Sequence, residues 1–382
     1  MAATGTGAPH PNGWVIGRAV GAPVVVSRGW AVSAVVIVLL IAPSIRATTG
    51  ASAAYVVAGA AVLLLFASTF LHELAHALAA RSRGVAVQEI SVTILGGHTH
   101  LGSAELSPRT SAVIAVAGPL VNLAIGGVAF AAWHAVAGSS LVSLLLASVA
   151  ATNGFVGLLN LLPGLPLDGG RVLEAVVWSL TGRRSSGTLA AGWLGRLMAF
   201  GVVVVAVGWP LLGGARPDLY MIVWAAVVGA FLWSGATEAI RAGQADRAVE
   251  GLSVRTLMRP AVAIPATDTL ADLAAFGDEG HEVVLLGRDG RAVAYVDRRA
   301  VLDVPFGHRA QTPLTAVAVP LEPGAVVDRS LTGSAAVRVV AVLARTSPVI
   351  VVLGRDQEVV GLLRTQDVIA AIRTAPRQAS AT

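Results

Sequence analysis

His72, Glu73 and His76 stand together in Phe70-Leu-His-Glu-Leu-Ala-His-Ala-Leu78, inside an apolar run that begins near Ala51. In a helix of 3.6 residues per turn, His72 and His76 lie one above the other, so both imidazoles can converge on a single ion. Glu73 is one step round the helix, within reach of a water on that ion without being a ligand. This is the HExxH arrangement of zinc hydrolases: two histidine ligands, a metal-activated water and a carboxylate to take its proton. The bare motif turns up by chance in many helices. Its setting raises its weight, because three ionisable side chains in an apolar helix are expensive to place in lipid and such groups are usually functional. The plainer alternative is a polar helix end at the membrane surface with no metal.

A catalytic zinc commonly takes three protein ligands and keeps one position for water. The chain has no cysteine, so the third ligand is not a thiolate. Besides Glu73, the acidic residues of the apolar half are Glu89, Glu105, Asp168, Glu174, Asp218 and Glu238. Asp168 is the best candidate, because it sits where an apolar span is broken by Pro163 and Pro166, and Gly169-Gly170 let the backbone come close to another helix. An Asp that merely stabilises a turn before Gly-Gly is the competing explanation. His98 and His100, in Gly-Gly-His-Thr-His, could also reach the metal as extra or inhibitory ligands, although a histidine pair on a surface loop is commoner.

The elements that must carry these groups are membrane spans. With 55% hydrophobic and 13% charged residues over 382 positions, the chain is too apolar for a soluble protein and has room for two or three domains. Long apolar runs dominate up to about Ile240; beyond Arg241 charges become regular and apolar runs fall to strand length. Six spans are expected, over residues 30–45, 51–78, 110–136, 140–162, 189–212 and 219–236, the first of them short for a bilayer that needs about 20 helical residues. Met1 to Gly13 reads as disordered, and Trp14 to Val26, punctuated by Gly17, Gly21 and Pro23, as a hairpin at the membrane surface. No removable signal peptide is evident.

Between the second and third spans the pattern switches to period two over Gln88 to Ile94, with Gly96-Gly97 turning the chain. Such a strand either offers its edge to an extended substrate or simply covers the site. Arg18, Arg28, Arg81, Arg83, Arg109, Arg171, Arg183, Arg184 and Arg241 fall on one side of alternating spans, and only Arg46 and Arg216 on the other. By the positive-inside rule both termini are cytoplasmic. The net charge is +5 with all 27 basic residues arginine, and no basic stripe with interleaved aromatics argues for a nucleic-acid partner.

Together, His72-Glu73-Leu-Ala-His76, Gly118-Pro119-Leu-Val-Asn122 and Asn160-Leu-Leu-Pro163-Gly-Leu-Pro166-Leu-Asp168-Gly169-Gly170-Arg171 resemble the site-2 protease family of intramembrane zinc metalloproteases, in its prokaryotic branch with six spans and a C-terminal pair of CBS domains. The resemblance implies one Zn2+ per chain on His72, His76 and Asp168, Glu73 as general base, and Asn160 holding the scissile carbonyl or its oxyanion. It also implies membrane-anchored protein substrates, often anti-sigma factors already trimmed by another protease.

In the charged half, Val284-Leu-Leu-Gly-Arg-Asp289 recurs as Val351-Val-Leu-Gly-Arg-Asp356, each followed by an apolar strand and a helix. This repeat resembles a CBS pair, an α/β module that often binds adenine nucleotides and often dimerises. In its second copy Gly361 and Asp367 match the expected nucleotide signature, with Asp367 for the ribose, but Arg364 occupies the hydroxyl position. In the first copy Ala294, Asp297 and Ala300 match none of it. The expected fold is therefore a polytopic α-helical membrane protein with six transmembrane helices and a short membrane-associated β element, plus a C-terminal α/β CBS pair. The expected divisions are a tail and hairpin over 1–29, a protease domain over 30–242, CBS domains over 248–305 and 310–374, and a tail over 375–382. A membrane transporter or channel gated by CBS domains is the rival from another class, with the intramembrane His and Asp residues lining an ion path.

Overall fold

The computed structural model describes residues 13–93, 96–102, 106–136, 141–275 and 280–378. The expected N-terminal tail up to Asn12, Ile94, Glu105 and the last four residues fall outside them. The chain divides into two compact units, Met1–Gly243 and Gln244–Thr382.

The first unit begins with an antiparallel hairpin, β1 (Gly13–Ala19) and β2 (Ala22–Ser27), followed by helices α1 (Trp30–Thr49) and α2 (Ala51–Ser82). Two strands come next, β3 (Val87–Thr93) and β4 (Gly96–Leu101), and then α3 (Pro108–Ala135), α4 (Leu141–Asn160), α5 (Asp168–Thr181), α6 (Arg184–Leu212) and α7 (Leu219–Glu250). Five helical stretches, residues 52–82, 108–135, 141–160, 184–212 and 219–250, are long and apolar enough to cross a membrane. The apolar part of α1, Trp30–Arg46, is shorter than these, so α1 stands apart from the other five.

The hairpin does not stay by itself. The strands form one sheet in the order β1-β2-β3-β4, with β2 and β3 parallel through Val24, Val25 and Val26 against Ile90, Ser91 and Val92. Val24 and Ile90 pack on Ala77 of α2, which ties this sheet to the helix one residue beyond His76. Gly96 and Gly97 lie within β4, paired with Thr93 and Val92, rather than forming the turn expected of them. The helices close round α3, which packs on α2, α4 and α5. Ser107 caps its start, accepting a hydrogen bond from the Thr110 N–H at 3.2 Å with Pro108 at the first helical position.

The second unit repeats one pattern. After the short α8 (Val254–Leu257), the first copy is β5 (Arg259–Pro265), α9 (Leu270–Ala275), β6 (Glu282–Leu286), β7 (Ala292–Val296) and α10 (Arg298–Asp303). A three-residue strand, β8 (Ala318–Pro320), leads to the second copy: β9 (Val326–Asp328), α11 (Gly333–Leu343), β10 (Val349–Leu353), β11 (Val359–Arg364) and α12 (Thr365–Gln378). In each copy a parallel pair (β5 with β6, β9 with β10) is followed by an antiparallel one (β6 with β7, β10 with β11). Antiparallel pairing of β5 with β11 joins them into a seven-stranded sheet. Ile350, Val352 and Leu363 are fully buried in the second copy, as are Ile264, Leu285 and Leu314 in the first. Truncating any of these Leu or Ile side chains to Ala costs about 2–5 kcal/mol.

Candidate metal-dependent active site

α2 is a run of Ala, Leu and Val without proline, so its backbone bonds close internally and its few polar side chains must find partners elsewhere. His72, Glu73 and His76 are all buried, at 7%, 4% and 7% exposure. α3 supplies two of the partners. The Nδ1 of His72 lies 3.0 Å from the Asn122 side-chain oxygen, and the Nδ1 of His76 lies 2.6 Å from the Ile114 carbonyl oxygen. An imidazole nitrogen facing an acceptor carries the proton, so each ring donates from Nδ1 and keeps its lone pair on Nε2.

Those lone pairs converge. The two Nε2 atoms are 3.1 Å apart, and Asp168 Oδ2 lies 3.1 Å from that of His72 and 3.3 Å from that of His76. Two nitrogen lone pairs and a carboxylate oxygen pointed at one place repel one another unless a cation lies among them. Their separations are also close to the edges of a tetrahedron whose centre is about 2.0–2.1 Å from each corner. His72, His76 and Asp168 form the one group of three such donors among the described residues. Gly118 of α3 leaves the space open, since a Cβ there would run into both Nε2 atoms. A donor set of two imidazoles and one carboxylate suits zinc.

Asp168 reaches this depth because the chain between α4 and α5 is pinned. The Leu165 N–H donates to the Ala191 carbonyl of α6 at 3.0 Å, and Leu167 is buried against Ala199 of α6 and Leu232 of α7. Gly169 touches the carbonyls of Leu161 and Leu162 and Gly170 the backbone of Gly164 and Leu165, contacts that leave no room for side chains. Asp168 therefore opens α5 in its first turn. The Asp-Gly-Gly run is a seat for a carboxylate rather than a loose turn.

Glu73 points to the sheet. The Thr99 hydroxyl lies 2.8 Å from Glu73 Oε2 and 3.1 Å from the Glu73 carbonyl oxygen. Gly97 crosses directly over the Glu73 side chain, where a Cβ would collide with its Cγ. Glu73, the three converging donors, Asn160, Arg171, His98 and Thr99 all line one cavity of about 560 Å³. Asn160 is half-buried at the end of α4. His98 and His100 stack edge to face on β4 with ring centroids 4.6 Å apart and do not join the three-donor group. Burial and the neighbouring His100 hold His98 below the ordinary imidazole range.

Asp367, the expected ribose ligand, sits at the start of α12 with its carboxylate already engaged: Arg259 Nη2 and Nε donate to Oδ2 at 3.0 and 3.1 Å. Arg364 pairs with the buried Glu282 at 3.0 Å. Thr99 and the amide of Asn122 position the site without having been among its expected residues. An Asn inside an apolar span is a signal, and the motif around Asn122 contained it; nothing local marks Thr99.

A helix-borne HExxH that meets a carboxylate from a second helix, among helices fit to span a bilayer, defines a membrane metallopeptidase. The profile of Peptidase family M50 matches residues 60–144 and 134–204. A zinc metalloprotease named Rip3 from Mycobacterium tuberculosis is 32% identical over 272 residues, 69% of this chain and 68% of that protein. Another from Synechocystis, sll0528, is 33% identical over 202 residues, 52% of this chain and 51% of that one. The solved site-2 protease from Methanocaldococcus jannaschii aligns at a TM-score of 0.41 and 23% identity, covering 59% of this chain and 94% of that one. The chain belongs to peptidase family M50, the site-2 protease family of metalloproteases.

Proposed function

We propose that this chain is a zinc-dependent endopeptidase that hydrolyses a peptide bond in or near the transmembrane segment of a membrane-anchored protein. The observation that carries the reading is the convergence of His72 Nε2, His76 Nε2 and Asp168 Oδ2. These three residues hold the zinc, which when bound supplies the Lewis acidity that polarises the carbonyl and acidifies water. Thr99 fixes one oxygen of the Glu73 carboxylate and leaves the other for the attacking water. Glu73 takes that water's proton and returns it to the leaving amine nitrogen. Asn160 donates its amide N–H to the scissile carbonyl oxygen as negative charge builds there. β4 is the edge strand of its sheet and lines the cavity, so an extended substrate segment pairs along it.

The chain crosses the membrane six times, α1 included, with both termini cytoplasmic, and the protease domain occupies residues 30–242 after a tail and surface hairpin over 1–29. Residues 248–305 and 310–374 form a CBS pair, with a tail over 375–382. Its substrates include proteins trimmed beforehand by another protease, with anti-sigma factors as candidates. The pair regulates or dimerises the protease, and an adenine nucleotide enters it only by displacing Arg259 from Asp367.

The test compares zinc content and cleavage for purified wild type and Glu73→Gln. Zinc near one per chain in both, with cleavage lost in the variant, is the expected result. Equal cleavage by the two overturns the assignment of Glu73.

A further inference from the structure

Arg196 is a charged residue within a membrane-spanning helix, and catalysis makes no use of it. Its guanidinium carbon lies over two indole rings, 4.9 Å from the Trp193 centroid on α6 and 5.1 Å from that of Trp233 on α7. Nε and Nη2 donate to the Thr237 hydroxyl at 3.3 and 3.1 Å. Among the described residues no carboxylate pairs with it, whereas Arg184 of the same helix is held by Glu174 at 2.7 Å. The indole pair is open on its outer side, since Trp193 and Trp233 are 57% and 49% exposed.

Its depth follows from helix geometry. At 1.5 Å per residue, Arg196 lies about 24 Å along α6 from Leu212, and Thr237 about 27 Å along α7 from Leu219. A hydrocarbon core about 30 Å thick, measured from those helix ends, therefore ends about 3–6 Å beyond this cluster, within reach of an arginine side chain. Trp rings collect at that level. An arginine that merely extends to water needs no pair of indole rings against its guanidinium and no hydroxyl tying its fork to a second helix. Here Thr237 holds the fork in place, and among the described residues its remaining N–H groups have no acceptor and its charge no carboxylate partner.

We propose that Arg196, Trp193, Trp233 and Thr237 form a binding site for the phosphate of an anionic phospholipid. The guanidinium donates to the phosphate oxygens in the fork geometry that suits them, and the indoles flank the glycerol and upper acyl chains. Bound there, the lipid ties α6 to α7. The same two helices clamp the Leu165–Leu167 turn, through Ala191 and through Ala199 with Leu232. Lipid occupancy thus stiffens the seat of Asp168 from outside.

Full-length protein is equilibrated with equal amounts of phosphatidylglycerol and phosphatidylcholine in detergent, and retained lipid is counted by native mass spectrometry. Wild type and Arg216→Gln should retain phosphatidylglycerol several-fold over phosphatidylcholine, and Arg196→Gln should lose that preference. Trp233→Leu, which removes one indole but keeps the charge, should weaken it and serves if Arg196→Gln does not fold. No preference in wild type, or an undiminished preference in Arg196→Gln and Trp233→Leu, overturns the site. Full displacement of the lipid by inorganic phosphate overturns the lipid assignment.

Discussion

At the scale of single residues, each group at the centre is held by one that does no chemistry. Asn122 accepts from His72 Nδ1 and so directs its Nε2 lone pair toward Asp168. Partners of this kind are worth about 10–100-fold in metal affinity, and Asn122→Ala should weaken zinc binding by that order when read by competition with a chelator. Thr99 does for Glu73 what Asn122 does for His72. Thr99→Val should lower kcat by about 10–100-fold, the order expected when a reacting group is slightly misplaced, while KM and zinc content stay near wild type. Thr99→Ser should restore most of the rate. A Thr99→Val enzyme with unchanged kcat would remove the hydroxyl from the account.

At the scale of elements, the parts legible in the sequence were those whose signal is local. Apolar runs marked α2, α3, α4, α6 and α7; period two marked β3; the broken stretch after Asn160 marked Asp168. Pairings between distant segments were not legible. The hairpin β1–β2 joins β3 across the whole of α1 and α2, and nothing in Trp14 to Val26 announces a partner near Ile90. The glycines at 96 and 97 look like a turn because glycine usually serves that end, but Gly97 is there to let β4 pass over Glu73. α5 was hidden by the proline and glycine that introduce it, since the side-chain-free contacts of Gly169 and Gly170 appear only once α4, α5 and α6 are assembled. Gly170→Val should push Asp168 out of the group and reduce bound zinc well below one per chain. Zinc retained in full by that variant would show that the seat is looser than its contacts indicate.

At the scale of the whole molecule, the two units follow different physics. The membrane unit holds a few buried polar groups that answer one another; the second unit is a repeat with an apolar core in each copy and charges at its surface. Arg259 bridging toward Asp367 and Glu282 was invisible in the sequence, because the three come from β5, α12 and β6. Acid should act on the second unit through groups such as Asp328, whose carboxyl the Ser330 hydroxyl and N–H hold below the usual carboxylate range. A depressed folded-state value means a contribution that is complete above about pH 4 and lost as pH falls through the folded value. Asp328→Asn should therefore lower the melting temperature of the full chain at neutral pH, with the difference from wild type shrinking as the pH falls below about 4.

The central claim is the identity of the ligands, and X-ray absorption at the zinc edge of the purified full-length protein reads it directly. Wild type should show one zinc per chain, bound to two imidazoles and to oxygen, with the imidazole signal of the remaining zinc halved in His72→Ala and the bound zinc sharply reduced in Asp168→Ala. A stoichiometric zinc whose spectrum is unchanged by both substitutions would contradict the assignment of His72 and Asp168 and the mechanism built on them.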